Sequence, residues 1–373
     1  MTEKPHDPWL LTPGPLTTSA SVKSAMLHDW GSRDAAFIAA TARVRARLVD
    51  LANARDTHTC VPIQGSGTFA VEAALGTLTR PDRTTLVAVN GAYGKRMAEI
   101  LRRIGRPCRT LDVPESEPVS ARAVGEALAA DEAIEHVAVV HCETTTGLLN
   151  PIMEIASVVA AANRRLVIDA MSSFGAIHVD ARDLRFEALM ASSNKCLEGV
   201  PGIGFVLARL DSLDASRGRA HSVALDLHEQ WKGLEANGQW RFTPPTHVLM
   251  ALDRAIDEHA AEGGVAGRGA RYRENCRVLV EGMRALGFRT FLPDTLQAPI
   301  IVTFFRPSDP RFEFEKFYDG LRRRGYVIYP GKLTQADTFR MGCIGRIGAG
   351  EMRGALAAVR EVLSELGVAS AGP

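Results

Sequence analysis

The sequence predicts an α/β protein with a mostly parallel sheet sandwiched by helices in a large domain, plus a smaller C-terminal α+β domain. Three observations carry that expectation. Short apolar, β-branched runs alternate with longer stretches of helical period, as in chains whose parallel strands cross over through helices. At 373 residues, 46% of them hydrophobic, the chain exceeds the usual size of one domain and can bury a large core. From about Gly264 the simple alternation gives way to a different order of elements.

The first strand is "TCVPIQ", which stops at Gly65, and the helix "FAVEAALGTLTR" follows it. "TTLVAVN" (84–90) reads as the next strand and "GKRMAEILRRIG" as the helix behind it. "HVAVVHC" (136–142), "RLVIDA" (165–170), "FEALMA" (186–191) and "GIGFVLA" (202–208) are apolar enough to lie inside a sheet covered on both faces. Past Gly264 come a helix "RYRENCRVLVEGMRALG", a strand "APIIVTFFRP", a helix "FEFEKFYDGLRRRG", strands "YVIYPGK" and "TFRMGCIG", and a last helix "AGEMRGALAAVREVLSEL". No internal repeat is present, and only the first residues and the tail "ASAGP" read as disordered by composition.

Composition narrows the partners. A net charge of +1, from 44 basic and 43 acidic residues without long single-sign runs, leaves no footprint for nucleic acid or an anionic membrane. A small-molecule partner is the expectation. Cys60, Cys108, Cys142, Cys196, Cys276 and Cys343 are scattered without a CxxC pair, so neither a disulfide framework nor a zinc site is indicated. The start "MTEKPHDPWLLTPGP" lacks a signal pattern, and no apolar run reaches the roughly 18 residues a bilayer needs. The chain therefore reads as soluble, reduced and cytoplasmic.

In an open parallel sheet the ligand lies at the carboxyl ends of the strands, so the residues following each strand are the ones to weigh. Gly65-Ser66-Gly67-Thr68 opens a helix, and small residues with free N–H groups there favour an anion such as a phosphate. An ordinary tight turn explains those four residues about as well. Tyr93 follows the next strand, where an aromatic ring either packs or carries a ligand. Glu143, Thr144, Thr145, Thr146 and Gly147 place several hydroxyls in one loop, which turn and cap chemistry would also explain. Asp169 ends "LVI", where a carboxylate is costly to bury unless a cation or donor meets it. Lys195 stands 26 positions later, in "SSNKCLEGVPG", after the next strand, so the two side chains can converge, although a solvated surface charge is the ordinary reading of a lone lysine. Burial and a neighbouring cation lower a lysine's pKa and make it a usable nucleophile and proton carrier. An anion cup, an aromatic, hydroxyls, a buried-type Asp and a strand-end Lys together match pyridoxal phosphate, which needs a lysine, a carboxylate at its ring nitrogen and a phosphate site.

The blocks "TPGPLTTS", "GSGTFAVEA", "NGAYGKRM", "HCETTTGLLNPI", "DAMSSFG", "SSNKCLEGVPG", "WRFTPPTH", "VIYPGK" and "FRMGCIG" occur in this order from about Leu10 to Leu366. In them the chain resembles the class V aminotransferases of the fold-type I pyridoxal phosphate enzymes, and within them the branch that moves the amino group of 2-aminoethylphosphonate to pyruvate in phosphonate catabolism. The resemblance implies phosphonoacetaldehyde and L-alanine as products. It also implies a homodimer with shared active sites, and a division into an N-terminal segment 1–20 that lines the site and packs on the small domain, a cofactor-binding domain 21–263 and a small domain 264–373.

By the same resemblance Lys195 would hold the cofactor covalently and then move the proton between substrate and cofactor carbons, and Asp169 would pair with the ring nitrogen. Ser66, Gly67 and Thr68 would bind the phosphate, Tyr93 would stack on the ring, Thr144 would contact its phenolic oxygen, and Asn194 would complete the cofactor shell. Thr243 would reach the phosphate from the neighbouring subunit. Arg340 would hold the substrate's anionic group, and Gly14 would lie near the substrate. Arg33, in "HDWGSRDAAF", is a candidate second cation for a phosphonate, with an outward-facing salt bridge as its plainer role. Alternatives within the fold are an alanine–glyoxylate or serine–pyruvate type aminotransferase, or a lyase or desulfurase using Cys196. A non-catalytic binding protein that kept the fold is the alternative from another class.

Overall fold

The computed structural model of the chain describes residues 7–333 and 336–373. Seven strands, β1 (His58–Gly65), β2 (Thr84–Val89), β3 (Cys108–Asp112), β4 (Ile134–Val140), β5 (Arg165–Asp169), β6 (Ala188–Ser192) and β7 (Gly202–Arg209), form one sheet in the order β1-β7-β6-β5-β4-β2-β3. Every neighbouring pair is parallel except those of β7, which runs antiparallel to both β1 and β6. The central strands are apolar throughout because both faces are covered: Val137, Val139 and Ile168 belong to one core cluster, and Val87, Ala138 and Val167 to the other. Parallel pairing brings the carboxyl ends of β2, β4, β5 and β6 to one rim. The register Gly202↔Gly65 brings the end of β1 to that same rim.

The edge strand β3 has no counterpart in the sequence reading. Its "CRTLD" leaves Arg109, Thr110 and Asp112 exposed, so it carries no apolar run to betray it. At the other end of the chain β8 (Ile301–Phe305), β9 (Tyr329–Pro330) and β10 (Thr338–Gly342) form an antiparallel sheet in the order β8-β10-β9. The helices Gly264–Ala285, Phe314–Arg323 and Ala349–Glu365 contribute Leu279, Phe317 and Val359 to the core that covers it. Phe288, Phe304, Phe317 and Phe339 are all buried there.

The tail "ASAGP" is not free, as its composition suggested. Ala371 is 3% exposed, and the Gly372 carbonyl accepts from Ser308 N at 2.9 Å, so the tail is docked onto the C-terminal core. The expectation of disorder for the first residues lies outside the described residues. From Trp9 onward the N-terminal segment pairs Trp9–Leu10 with Tyr326–Val327 before turning toward the rim of the large sheet. No helix among the described residues is long and apolar enough to cross a membrane.

Candidate active site

A cavity of about 190 Å³ opens at that rim, lined by Ser66, Gly67, Thr68, Tyr93, Asp169, Asn194 and Lys195, together with Arg96. A larger cavity of about 430 Å³ lies at the opposite rim, where β4 and β5 begin, so size alone does not locate the site. Ser66 caps the helix Gly67–Leu78 with extended backbone, yet its hydroxyl bonds no backbone N–H of that helix and stays available to a ligand. Gly67 sits so close to Met171 that an added Cβ would lie 2.3 Å from its sulfur. The backbone can therefore approach an anion closely at the helix's amino end, where the dipole favours negative charge.

Asp169 is the last residue of β5 and is 5% exposed. One carboxylate oxygen accepts from Met171 N at 2.9 Å. Burial pushes its pKa up to about 6, although the Met171 N–H, Arg96 and Lys195 all pull the other way. A buried carboxylate lifted this far lacks a full counter-charge and would gain from a cation placed beside it.

Lys195 is half-buried, with its amine end in the cavity, and burial is the main cause that lowers its pKa. Its amine donates to the Pro13 carbonyl, and a Cβ on Gly14 would stand 2.7 Å from that amine. Gly14 has φ +124°, a conformation that costs side-chain-bearing residues dearly. The turn carrying Lys195 is closed by Glu198 N donating to the Lys195 carbonyl at 2.7 Å. It is held from behind by the helix Gly264–Ala285. Arg268 donates to the Cys196 carbonyl at 2.5 Å, and Arg271 and the Tyr272 hydroxyl donate to the buried Glu198 carboxylate at 2.7 and 2.6 Å. Cys196 is buried, its thiol pushed up to about 12 by that burial, which unsuits it to nucleophilic work.

Thr144 and Arg340 do not line this cavity; Thr144 meets it through a hydrogen bond to Tyr93, and Arg340 through Thr144. The Arg340 guanidinium is 1% exposed and donates to the Thr144 carbonyl at 2.8 Å and the Pro330 carbonyl at 3.0 Å. Glu143, buried behind them, accepts from Thr145 Oγ1 at 2.6 Å and Tyr93 N at 3.2 Å and so ties the threonine loop to the tyrosine's helix. Burial raises the Tyr93 phenol, but Lys195, a Thr144 hydrogen bond and Lys332 outweigh it and hold the group below its usual range. Thr243 is not brought to this cavity. With Arg33, Arg241 and Phe242 it lines a separate surface cavity of about 350 Å³. Arg33 thus stands away from Lys195 within one chain.

Two cations escaped the sequence reading. Arg96 donates to Thr68 Oγ1 at 3.2 Å and lies 4.9 Å from the Tyr93 ring centroid. The Lys332 amine lies 5.2 Å from the same centroid. Arg96 shares its helix with Lys95, Arg102 and Arg103, and nothing in a basic amphipathic helix marks the one side chain that turns inward.

This sheet order gathers a lysine, an aspartate and a glycine-rich helix start at one rim. A family model for class-V aminotransferases matches residues 17–314, and the chain belongs to that family. Enzymes of this class and fold depend on pyridoxal phosphate. The chain is 55% identical to a 2-aminoethylphosphonate–pyruvate transaminase of Pseudomonas fluorescens over 97% of this chain and 98% of that one. It is 56% identical to the protein of that name from Pseudomonas aeruginosa over 97% of each. Among solved structures, alanine–glyoxylate aminotransferase from Nostoc superposes with TM-score 0.90 at 22% identity, covering 97% of each chain. Pyridoxamine–pyruvate aminotransferase from Mesorhizobium loti superposes with TM-score 0.87 at 24% identity, over 97% of this chain and 93% of that one. The fold is that of the fold-type I aminotransferases, and the protein is an aminotransferase.

Proposed function

We propose that the protein transfers the amino group of 2-aminoethylphosphonate to pyruvate, giving phosphonoacetaldehyde and L-alanine, with pyridoxal phosphate as its cofactor. The observation that carries this reading is the convergence of Lys195, Asp169 and the Ser66–Thr68 cup on one cavity in a chain over half identical to transaminases of that name. The residues fit the cofactor. The uncommitted Ser66 hydroxyl and the first helical N–H groups suit its phosphate, and the poorly compensated Asp169 carboxylate suits a protonated ring nitrogen. When bound, pyridoxal phosphate supplies an aldehyde carbon that exchanges amines and a ring that takes up electrons.

In this scheme Lys195 holds the cofactor between turnovers. Freed by the incoming amine, it takes the proton from the carbon bearing the donor's amino group and later returns one to the corresponding carbon of the acceptor. Its lowered pKa keeps part of the amine neutral for that task. Asp169 holds the ring nitrogen protonated, Tyr93 stacks on the ring, and Thr144 and Asn194 orient it. Arg340 holds the substrate's anionic end, where its planar fork suits carboxylate and phosphonate alike. Arg96 adds a positive charge beside the phosphate cup. Arg96→Gln is expected to weaken cofactor binding about 10- to 100-fold, the worth of a charge-assisted hydrogen bond, read by fluorescence titration of the cofactor-free protein.

Gly14 keeps the approach to the Lys195 amine open. Gly14→Ala is expected to lower turnover by about 10²-fold, since a displacement near 1 Å at a reacting group costs that much. Melting should fall as well, because alanine is strained at φ +124°, which calorimetry would check.

We further infer a homodimer in which Thr243 of the partner subunit meets the cofactor phosphate. Phe69, Val223 and Phe242 are 49%, 69% and 46% exposed, apolar side chains that a second copy would cover. Residues 21–263 would act as the large domain and 264–373 as the small one. The six free thiols, five of them buried, fit a reducing compartment such as the cytoplasm.

The reading is tested by assaying alanine formation from pyruvate with 2-aminoethylphosphonate against L-serine as donor, and glyoxylate consumption with L-alanine as donor. Preference for the phosphonate supports it. Preference for serine or alanine would replace it with the alanine–glyoxylate or serine–pyruvate type, which the same cofactor residues would serve.

A further inference from the structure

Arg340, on β10, and Lys332, in the loop that follows the neighbouring β9, both lie near the Tyr93 phenol. β9 ends at Pro330, whose carbonyl accepts from Arg340 Nε at 3.0 Å, and the chain then turns so that the Lys332 amine lies 5.2 Å from the Tyr93 ring centroid. Arg340 is bonded to backbone carbonyls, and neither cation is paired with a carboxylate among the described residues. Lys332 is also near enough to Lys195 that the repulsion helps lower the Lys195 amine. Arg340, Lys332, Lys195 and Arg96 therefore gather around one phenol ring, four cations against the two buried carboxylates of Glu143 and Asp169. Such an arrangement is costly when empty and focuses its field on an incoming anion.

We propose that Lys332 is a specificity-determining residue that, with Arg340, binds the donor's phosphonate and favours a doubly charged phosphonate over a singly charged carboxylate. The proposal rests on the reading that the donor is a phosphonate. The phosphonate of 2-aminoethylphosphonate, whose ammonium favours its second ionisation, resembles a phosphate monoester in ionising twice and in offering three acceptor oxygens. Arginine's fork occupies two of those oxygens, and lysine's compact point charge suits the third. A carboxylate has two oxygens and one charge, so Arg340 alone satisfies it. One site can then take the phosphonate donor and pyruvate in turn, with Lys332 engaged chiefly by the former. Lys332 is exposed, so a substitution there is readable.

The test is calorimetric titration of the holoenzyme, at a pH above the second ionisation of ethylphosphonate, with ethylphosphonate and with propionate, two unreactive anions that then differ in charge and lack the amine. Lys332→Met should weaken ethylphosphonate about 10- to 100-fold and propionate less than about fivefold. Lys332→Arg, which keeps the charge, should recover most of the loss. In turnover the same split should appear as a raised KM for 2-aminoethylphosphonate with a smaller change in KM for pyruvate. Equal losses for the two anions, or no loss for ethylphosphonate, would overturn the proposal. If the wild-type enzyme rejects 2-aminoethylphosphonate as donor, the functional reading fails instead, while the two titrations still decide what Lys332 does.

Discussion

Lys195→Ala is expected to lower turnover by at least about 10⁴-fold, because proton transfer by a positioned base is alone worth about 10² to 10⁴-fold and the covalent hold on the cofactor goes with it. The visible absorbance of the lysine-bound cofactor should vanish in the same variant. The fold should survive, because the turn is fastened by the Glu198, Arg268, Arg271 and Tyr272 contacts and not by the lysine side chain. Lys195→Arg should not rescue activity, since a guanidinium stays protonated at working pH and cannot take the proton. Measurable transamination by the alanine variant would remove Lys195 from the mechanism.

Asp169→Asn should act in opposite directions on activity and on stability. Losing the charge that faces the cofactor's ring nitrogen removes a buried ionic partner, worth about 3–5 kcal/mol or roughly 10² to 10⁴-fold in rate. The cofactor-free protein should gain. Its Asp169 has a pKa raised to about 6 by burial, against an ordinary value of 3.8. Between those values the folded chain binds more protons at this group than the unfolded chain, so stability falls as pH rises through the window. Above it the ionised group costs the folded state up to about 3 kcal/mol. Asparagine can keep the hydrogen bond from Met171 N without the charge. The cofactor-free Asp169→Asn protein should therefore melt a few degrees above wild type at about pH 7.5 and level with it near pH 4. Calorimetry at both pH values checks this. A gain that persisted undiminished at pH 4 would point to packing instead of charge.

The buried strands were legible because a sheet covered on both faces writes near-continuous apolar runs such as "HVAVVHC" and "RLVIDA". β3 was not, because an edge strand needs no such run. At the site, Asp169 could be read locally from the cost of placing a charge after an apolar strand, whereas Lys195 was ambiguous alone and gained meaning only beside Asp169 and the Gly65–Thr68 turn. Arg96 and Lys332 could not be read, because what singles them out is where their side chains end relative to Tyr93. Tertiary packing alone decides that. The docking of "ASAGP" was hidden for a related reason: small residues carry no apolar pattern, yet Ala371 fits against the C-terminal core. Motif resemblance named Thr243, and within one chain Thr243 and Arg33 line a common surface cavity away from Lys195.

The central claim is that this cavity moves an amino group from a phosphonate to a keto acid. Incubating the holoenzyme with 2-aminoethylphosphonate labelled with nitrogen-15 and unlabelled pyruvate tests it most directly, with mass spectrometry of both products. The account predicts labelled L-alanine and phosphonoacetaldehyde in equal amounts. Release of the label as ammonia, or alanine formed without it, would contradict the account and place the chemistry outside transamination of this donor.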